Sequence, residues 1–137
     1  MNMENLFGIT LGVADIDSAI AFYQRLGWPR PQITHSGHMA QFALGVCNVT
    51  IIPRDILIEE AGLLGLSDMG SICHCMNMTF QVNSLADVSS YLQKAKSAGG
   101  TILKAAVPRA EGGCSGYFMD PDGHIFEIAY NPVLPKP

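Results

Sequence analysis

Charge is the scarcest commodity in this chain. Of its 137 residues, 15% are Asp, Glu, Lys or Arg, against about 25% in an average domain. Eight Lys and Arg face twelve Asp and Glu, for a net charge of −4, and the basic residues form no block. A nucleic-acid partner is therefore not expected, because phosphate binding needs a basic patch. Long apolar runs are missing as well. None reaches the ~20 residues that a membrane-spanning helix requires. The opening MNMENLFGIT has no basic stretch ahead of an apolar core, so no secretory signal is expected. Cysteine is sparse: Cys47, Cys73, Cys75 and Cys114. Without a secretion signal these predict reduced thiols in a cytoplasmic protein. Cys73-His74-Cys75 looks like a metal clip, but paired zinc cysteines usually have two or more residues between them. In a strand His74 would also face away from both thiols. These three are read as ordinary packing or surface residues. No Ser–His–Asp arrangement and no phosphate-binding glycine motif is found, and DPDG lacks the remaining oxygen ligands of a calcium loop.

What the chain does have is 48% hydrophobic residues, enough for a core, and a sequence that repeats itself. Residues 9–23 read ITLGVADIDSAIAFY and residues 78–92 read MTFQVNSLADVSSYL, a shift of 69. Thr10 aligns with Thr79, Val13 with Val82, Asp15 with Ser84, and Phe22 with Tyr91. Identities are few. The shared pattern is an alternating strand, a polar helix cap, then an apolar helical stripe, and a self-match at half-length predicts two copies of one supersecondary unit.

Periodicity places the elements. Residues 6–13 alternate as a strand. Asp15 caps a helix through about Leu26, with Ile16, Ala19, Ile20 and Tyr23 as its stripe and Gly27 as its stop. Short strands follow near Ile33–His35, His38–Leu44 and Cys47–Ile52. A connection over 53–72 includes one short helix near Asp55–Leu64. The second copy begins with Met76, Met78, Phe80 and Val82 alternating against polar residues, and Met76 and Met78 are expected under the second helix. Ser84 starts that helix in a partial capping box with Asp87, and Gly99 ends it. Thr101–Val107 is a strand. Cys114–Met119 and His124–Tyr130 form a hairpin around Asp120-Pro121-Asp122-Gly123, which has strong turn chemistry. Trp28 is read as a hydrophobic plug at a helix end.

The order strand, helix, three strands, occurring twice, resembles the vicinal oxygen chelate superfamily of glyoxalase I, extradiol dioxygenases and bleomycin-resistance proteins. The words that carry it are LGVADIDSAIAFYQRLGW and GYFMDPDGHIFEIAYNP, and together they span nearly the whole chain. The resemblance implies one α+β domain over 1–137. It would hold two tandem βαβββ modules, about 1–55 and 73–137, forming curved mixed sheets around a cleft. It also implies a homodimer.

In the enzymes of that superfamily a divalent metal is held by His and Glu side chains on four strands. Carried over position by position, these become Gly8, Thr50, Asn77 and Glu127. Glycine has no ligating side chain, and Thr and Asn are weak partners for a transition metal, so no metal and no other cofactor is expected. Glu127 remains the candidate catalytic residue. Two readings of it stay open: a carboxylate working in a cleft, or a relic bonded to neighbouring donors. Thr10, Thr50, Asn77, Thr79 and Gln81 share one strand parity and would line a polar pocket. Tyr117 and Met119 share the parity opposite to Phe118 and would reach the same place. The expected partner is an unidentified small molecule. The expected role is a binding protein of the glyoxalase/bleomycin-resistance type, with a lyase- or dioxygenase-like enzyme as the alternative.

Overall fold

A computed structural model describes residues 6–34, 37–62, 76–110 and 112–132. The chain divides into two compact units, Met1–Ser71 and Ile72–Pro137. Among the described residues the first unit contains β1 (Gly8–Val13), α1 (Ile16–Leu26), β2 (Gln32–Thr34), β3 (Met39–Leu44), β4 (Cys47–Pro53) and α2 (Arg54–Glu60). The second contains β5 (Asn77–Gln81), α3 (Leu85–Ala98), β6 (Thr101–Pro108), β7 (Cys114–Met119) and β8 (Ile125–Tyr130). Each unit has one four-stranded sheet, in the order β1-β4-β3-β2 and β5-β8-β7-β6. In both, the first and last strands pair in parallel and the rest antiparallel. The fold is α+β, built from two βαβββ modules.

Strand alternation decides which face is buried. In the first sheet Leu11, Val13, Ala40, Phe42, Val49 and Ile51 are buried and lie on the face that α1 covers. In the second sheet Met78, Phe118, Phe126 and Ile128 are buried on the side of α3. Phe118 and Phe126 stack with ring centroids 4.9 Å apart. Truncating either ring to Ala would cost about 3–5 kcal/mol. Around α1 the aromatic core is Phe22, Tyr23, Phe42 and Trp28, with Tyr23 and Trp28 stacked at 4.1 Å. Trp28 is buried, as a plug should be.

Helices α1 and α3 stop at left-handed glycines, Gly27 with φ 103° and Gly99 with φ 116°. Ser84 Oγ accepts the Asp87 N–H at 3.2 Å, half of the expected capping box. Asp15 behaves differently. Its side chain makes no bond to a helix N–H but accepts the Ser18 hydroxyl at 2.5 Å. The α1 stripe is also rotated from expectation. Ala19, Phe22, Tyr23 and Leu26 are buried, whereas Ile16 and Ile20 are only partly covered, because the helix turns its aromatic pair toward Phe42. Met76 departs too. At 62% exposed it precedes β5 and packs under no helix, while Met78 is buried as expected. The Cys73-His74-Cys75 segment lies outside the described residues.

The short helix in the connection is not a plain linker. A Cβ built on Gly12 would lie 3.1 Å from Leu57 Cδ2 and 3.2 Å from Arg54 Cα. Gly12 shares the parity of Thr10, so α2 packs on the polar face of the first sheet, opposite α1. Ile52, the register partner of Gly12, is buried there. On the same face a pocket of about 390 Å³ is lined, among the described residues, by His38, Met39, Ile56 and Glu60.

Candidate functional site

The polar rows of the two sheets have matching register. In the first, Thr10 of β1 stands opposite Thr50 of β4, which stands opposite Gln41 of β3. In the second, Thr79 of β5 stands opposite Glu127 of β8, which stands opposite Tyr117 of β7. Thr50 and Glu127 thus hold equivalent positions, and so do Gln41 and Tyr117. Each sheet puts its last strand in the middle, with one side chain flanked by a neighbour on either hand.

The first row is loosely tied. Gln41 Nε2 donates to Thr50 Oγ1 at 3.4 Å, a long bond. The second row is tightly knit around Glu127. Thr79 Oγ1 donates to Glu127 Oε1 at 2.9 Å. Asn77 Nδ2 donates to Thr79 Oγ1 at 3.1 Å, so the hydroxyl relays one bond into the next. Tyr117 O–H donates to Oε2 at 3.2 Å. The guanidinium of Arg109, just beyond β6, comes within 3.7 Å of Oε2. The Glu127 side chain is 12% exposed and that of Arg109 44%. Of the residues singled out by sequence, Asn77, Thr79, Tyr117 and Glu127 meet in one cluster. Met119 follows beside it, in register with Ile125. Gln81 lies further along β5, opposite Ala129. Thr10 and Thr50 stand opposite each other in the first sheet.

Arg109 was missed by sequence reasoning. It follows Pro108 outside any periodic pattern, and its long side chain reaches Glu127 on β8 from there. The signal available was the EGGC glycine pair, which marks a turn returning the chain to the sheet.

The phenol of Tyr117 is held above its ordinary pKa of 10.0. Burial is the main cause, the Glu127 charge and hydrogen bond add to it, and the Arg109 charge opposes it. The sign for stability follows. The folded state keeps the phenolic proton at a pH where the unfolded chain has begun to lose it. Stability from this group is therefore full below about pH 10 and falls as pH rises from there through the folded-state value. Tyr117→Phe should flatten the alkaline limb of a denaturation series. Glu127→Gln should lower the Tyr117 titration only partway, because burial persists. An unchanged alkaline limb in Tyr117→Phe would contradict the contact.

The metal of the resembled enzymes does not fit these residues. Gly8 offers no side chain. Asn77 and Thr50 are neutral weak donors, and the one carboxylate already has a guanidinium beside it. Among the described residues no group of three His, Cys, Asp or Glu could hold a metal ion.

A tandem pair of βαβββ sheets with a carboxylate at the centre of the second belongs to a recognisable class of small α+β proteins. A family model described as the Glyoxalase/Bleomycin resistance protein/Dioxygenase superfamily matches residues 6–128, and the chain belongs to that superfamily. A glyoxalase-related enzyme from Fulvimarina pelagi is similar at 28% identity and TM-score 0.82, covering 97% of this chain and 92% of that one. A glyoxalase/bleomycin resistance protein/dioxygenase family enzyme from Burkholderia phytofirmans PsJN shares the fold at 21% identity and TM-score 0.76, over 92% and 98%. Lactoylglutathione lyase from Agrobacterium tumefaciens does so at 17% and 0.68, over 93% of each chain. No curated protein matches.

Proposed function

We propose that this chain is a small-molecule-binding protein of the glyoxalase/bleomycin-resistance type, holding its ligand around Glu127 without the superfamily's metal. One observation carries the reading: the Glu127 carboxylate is engaged by Thr79, Tyr117 and Arg109. The position-by-position carry-over from the resembled enzymes supports it, since it sets Gly8, Thr50 and Asn77 at the other ligand positions and none of these is a good metal ligand. A carboxylate fixed on both oxygens is a positioned recognition group. Tyr117 and Met119 add apolar surface beside it.

Thermal-shift screening against metabolites and drugs tests this, because a ligand selective for the folded state raises the melting temperature. The shift should shrink in Glu127→Gln and Asn77→Leu, without turnover of the hit. Protein purified without chelator or nickel resin should carry well under one equivalent of zinc, nickel, iron or manganese. Stoichiometric metal lost in Glu127→Gln would reject the reading.

One contact favours a second reading, an enzyme using Glu127 as an acid–base group. The Tyr117 phenol donates directly to the carboxylate, so a proton donor and a proton acceptor are already joined. Turnover abolished by Glu127→Gln with binding retained would decide for the enzyme.

A further inference from the structure

We infer that the pocket between α2 and the start of β3 is a second binding site, and that it takes a small amphiphilic cation, an amine with an apolar body, with Glu60 as its counter-ion. The inference stands apart from the Glu127-centred reading, because every residue it uses lies in the first unit.

Packing builds the pocket. A Cβ on Gly12 would come within 3.1 Å of Leu57 Cδ2, so α2 lies close on the polar face of the sheet. Leu57 is the contact with the strand. Ile56 and Glu60 are one turn apart and share a neighbouring face of the helix. Met39 rises from the sheet beside them. Ala40 is buried on the α1 side, so Met39, its neighbour in β3, points to the α2 side. His38 immediately precedes β3. Among the described residues these four line a volume of about 390 Å³, within the roughly 300–1,000 Å³ of small-molecule pockets. Ile56 is 37% exposed, so apolar surface is available to a ligand. Met39 adds a side chain that adapts to ligand shape.

Charge selects the ligand. Residues 1–71 have Arg25, Arg30 and Arg54 against Glu4, Asp15, Asp17, Asp55, Glu59, Glu60 and Asp68, and no lysine. With three cations against seven anions, this unit carries the chain's whole net charge of −4. No Lys or Arg occurs between Arg54 and Lys94. Helix α2 has no basic residue in its last turn, where a cation would offset the negative end of the helix dipole. Glu59 and Glu60 add two carboxylates at that end. Arg54 starts the helix, about 9 Å before Glu60 along the axis, and lines a separate hollow with Val13, Ala14, Pro53 and Asp55. Among the described residues the side chains of Glu60 and His38 make no hydrogen bond or ion pair. A carboxylate beside open apolar surface, with no cation near it, complements an amine carried on an apolar body. A metal ion is not matched. His38 and Glu60 are two donors, and no third joins them among the described residues, whereas a tight site takes about three.

Amide NMR titration of the intact chain with phenethylamine, phenethyl alcohol, phenylacetate and ethylamine tests the proposal. Phenethylamine should perturb His38, Met39, Ile56 and Glu60. The alcohol should bind about fivefold more weakly, the upper end of what an exposed ion pair supplies. Ethylamine, without the apolar body, should be weaker still, and phenylacetate should not bind. Glu60→Gln should bring the amine down to the level of the alcohol. Ile56→Ser should weaken both. Glu59→Gln, on the same helix but outside the lining, should change amine binding by less than about twofold, since a charge there acts only through solvent. Both lining side chains are exposed, so melting without ligand should stay near wild type in Glu60→Gln and Ile56→Ser. Glu127→Gln should leave amine binding unchanged, which keeps this test separate from that of the Glu127 cluster. No amine binding at millimolar concentration, phenylacetate matching the amine, equal losses in Glu59→Gln and Glu60→Gln, or binding abolished by Glu127→Gln would each overturn the proposal.

Discussion

Gly116→Ala should lower stability by about 3 kcal/mol, the upper part of the range for overpacked cores, and melting by roughly 10 °C for a chain of this size. A Cβ at Gly116 would lie 2.5 Å from Leu92 Cδ1, 2.9 Å from Lys104 O and 3.2 Å from Ala106 N. The first contact is the end of a flexible side chain and can yield. The other two are backbone. Strand β6 shifts register between Lys104 and Val107, so its bulge is pressed against Gly116, and α3 closes over the same spot. The double variant Gly116→Ala, Leu92→Ala separates the causes. If backbone dominates, removing the Leu92 side chain rescues nothing and adds a cavity penalty. Full rescue would show that α3 alone is responsible, and an unchanged melting temperature in Gly116→Ala would refute the packing argument. Because β7 carries Tyr117 one residue further on, the damage should reach the Glu127 cluster as well.

The repeat at a shift of 69 was legible because alternation and helix caps are local properties. Thr10 and Thr79 were aligned from sequence alone, and the register places them opposite Thr50 and Glu127 respectively. Parity likewise put Tyr117 on the side of Glu127. Arg109 was not legible, since its approach depends on how a turn at the end of β6 seats on β8. The placement of α2 was hidden for a related reason. Its residues read as a short helix in a connection, and only the missing side chain of Gly12 betrays that something packs there. The stripe of α1 went astray because Ile16 and Ile20 fit the helical period as well as Phe22 does. Aromatic packing against Phe42 and Trp28 chose between them.

Asp120→Ala should cost about 2–3 kcal/mol, the upper part of the range for losing hydrogen bonds to a charged group. From sequence Asp120 is one of four turn-forming residues. In the fold it is 2% exposed, and its Oδ1 accepts the N–H groups of Asp122 at 3.0 Å and His124 at 2.7 Å. The backbone closes the same loop, with Asp120 N–H donating to His124 O at 3.0 Å and Gly123 N–H to Asp120 O at 3.1 Å. One carboxylate oxygen thus organises the turn that sets the β7–β8 register. That register puts Met119 against Ile125 and Tyr117 against Glu127, so the turn is a positioning device for the candidate site. Asp120→Asn keeps an acceptor oxygen and should recover most of the loss. Amide exchange should quicken in Asp120→Ala at Met119 and Ile125, while Thr10 and Thr50, in the other unit, keep their protection. Exchange that rises equally in both units would mean that the turn is a global stability element and not a local clamp on the hairpin.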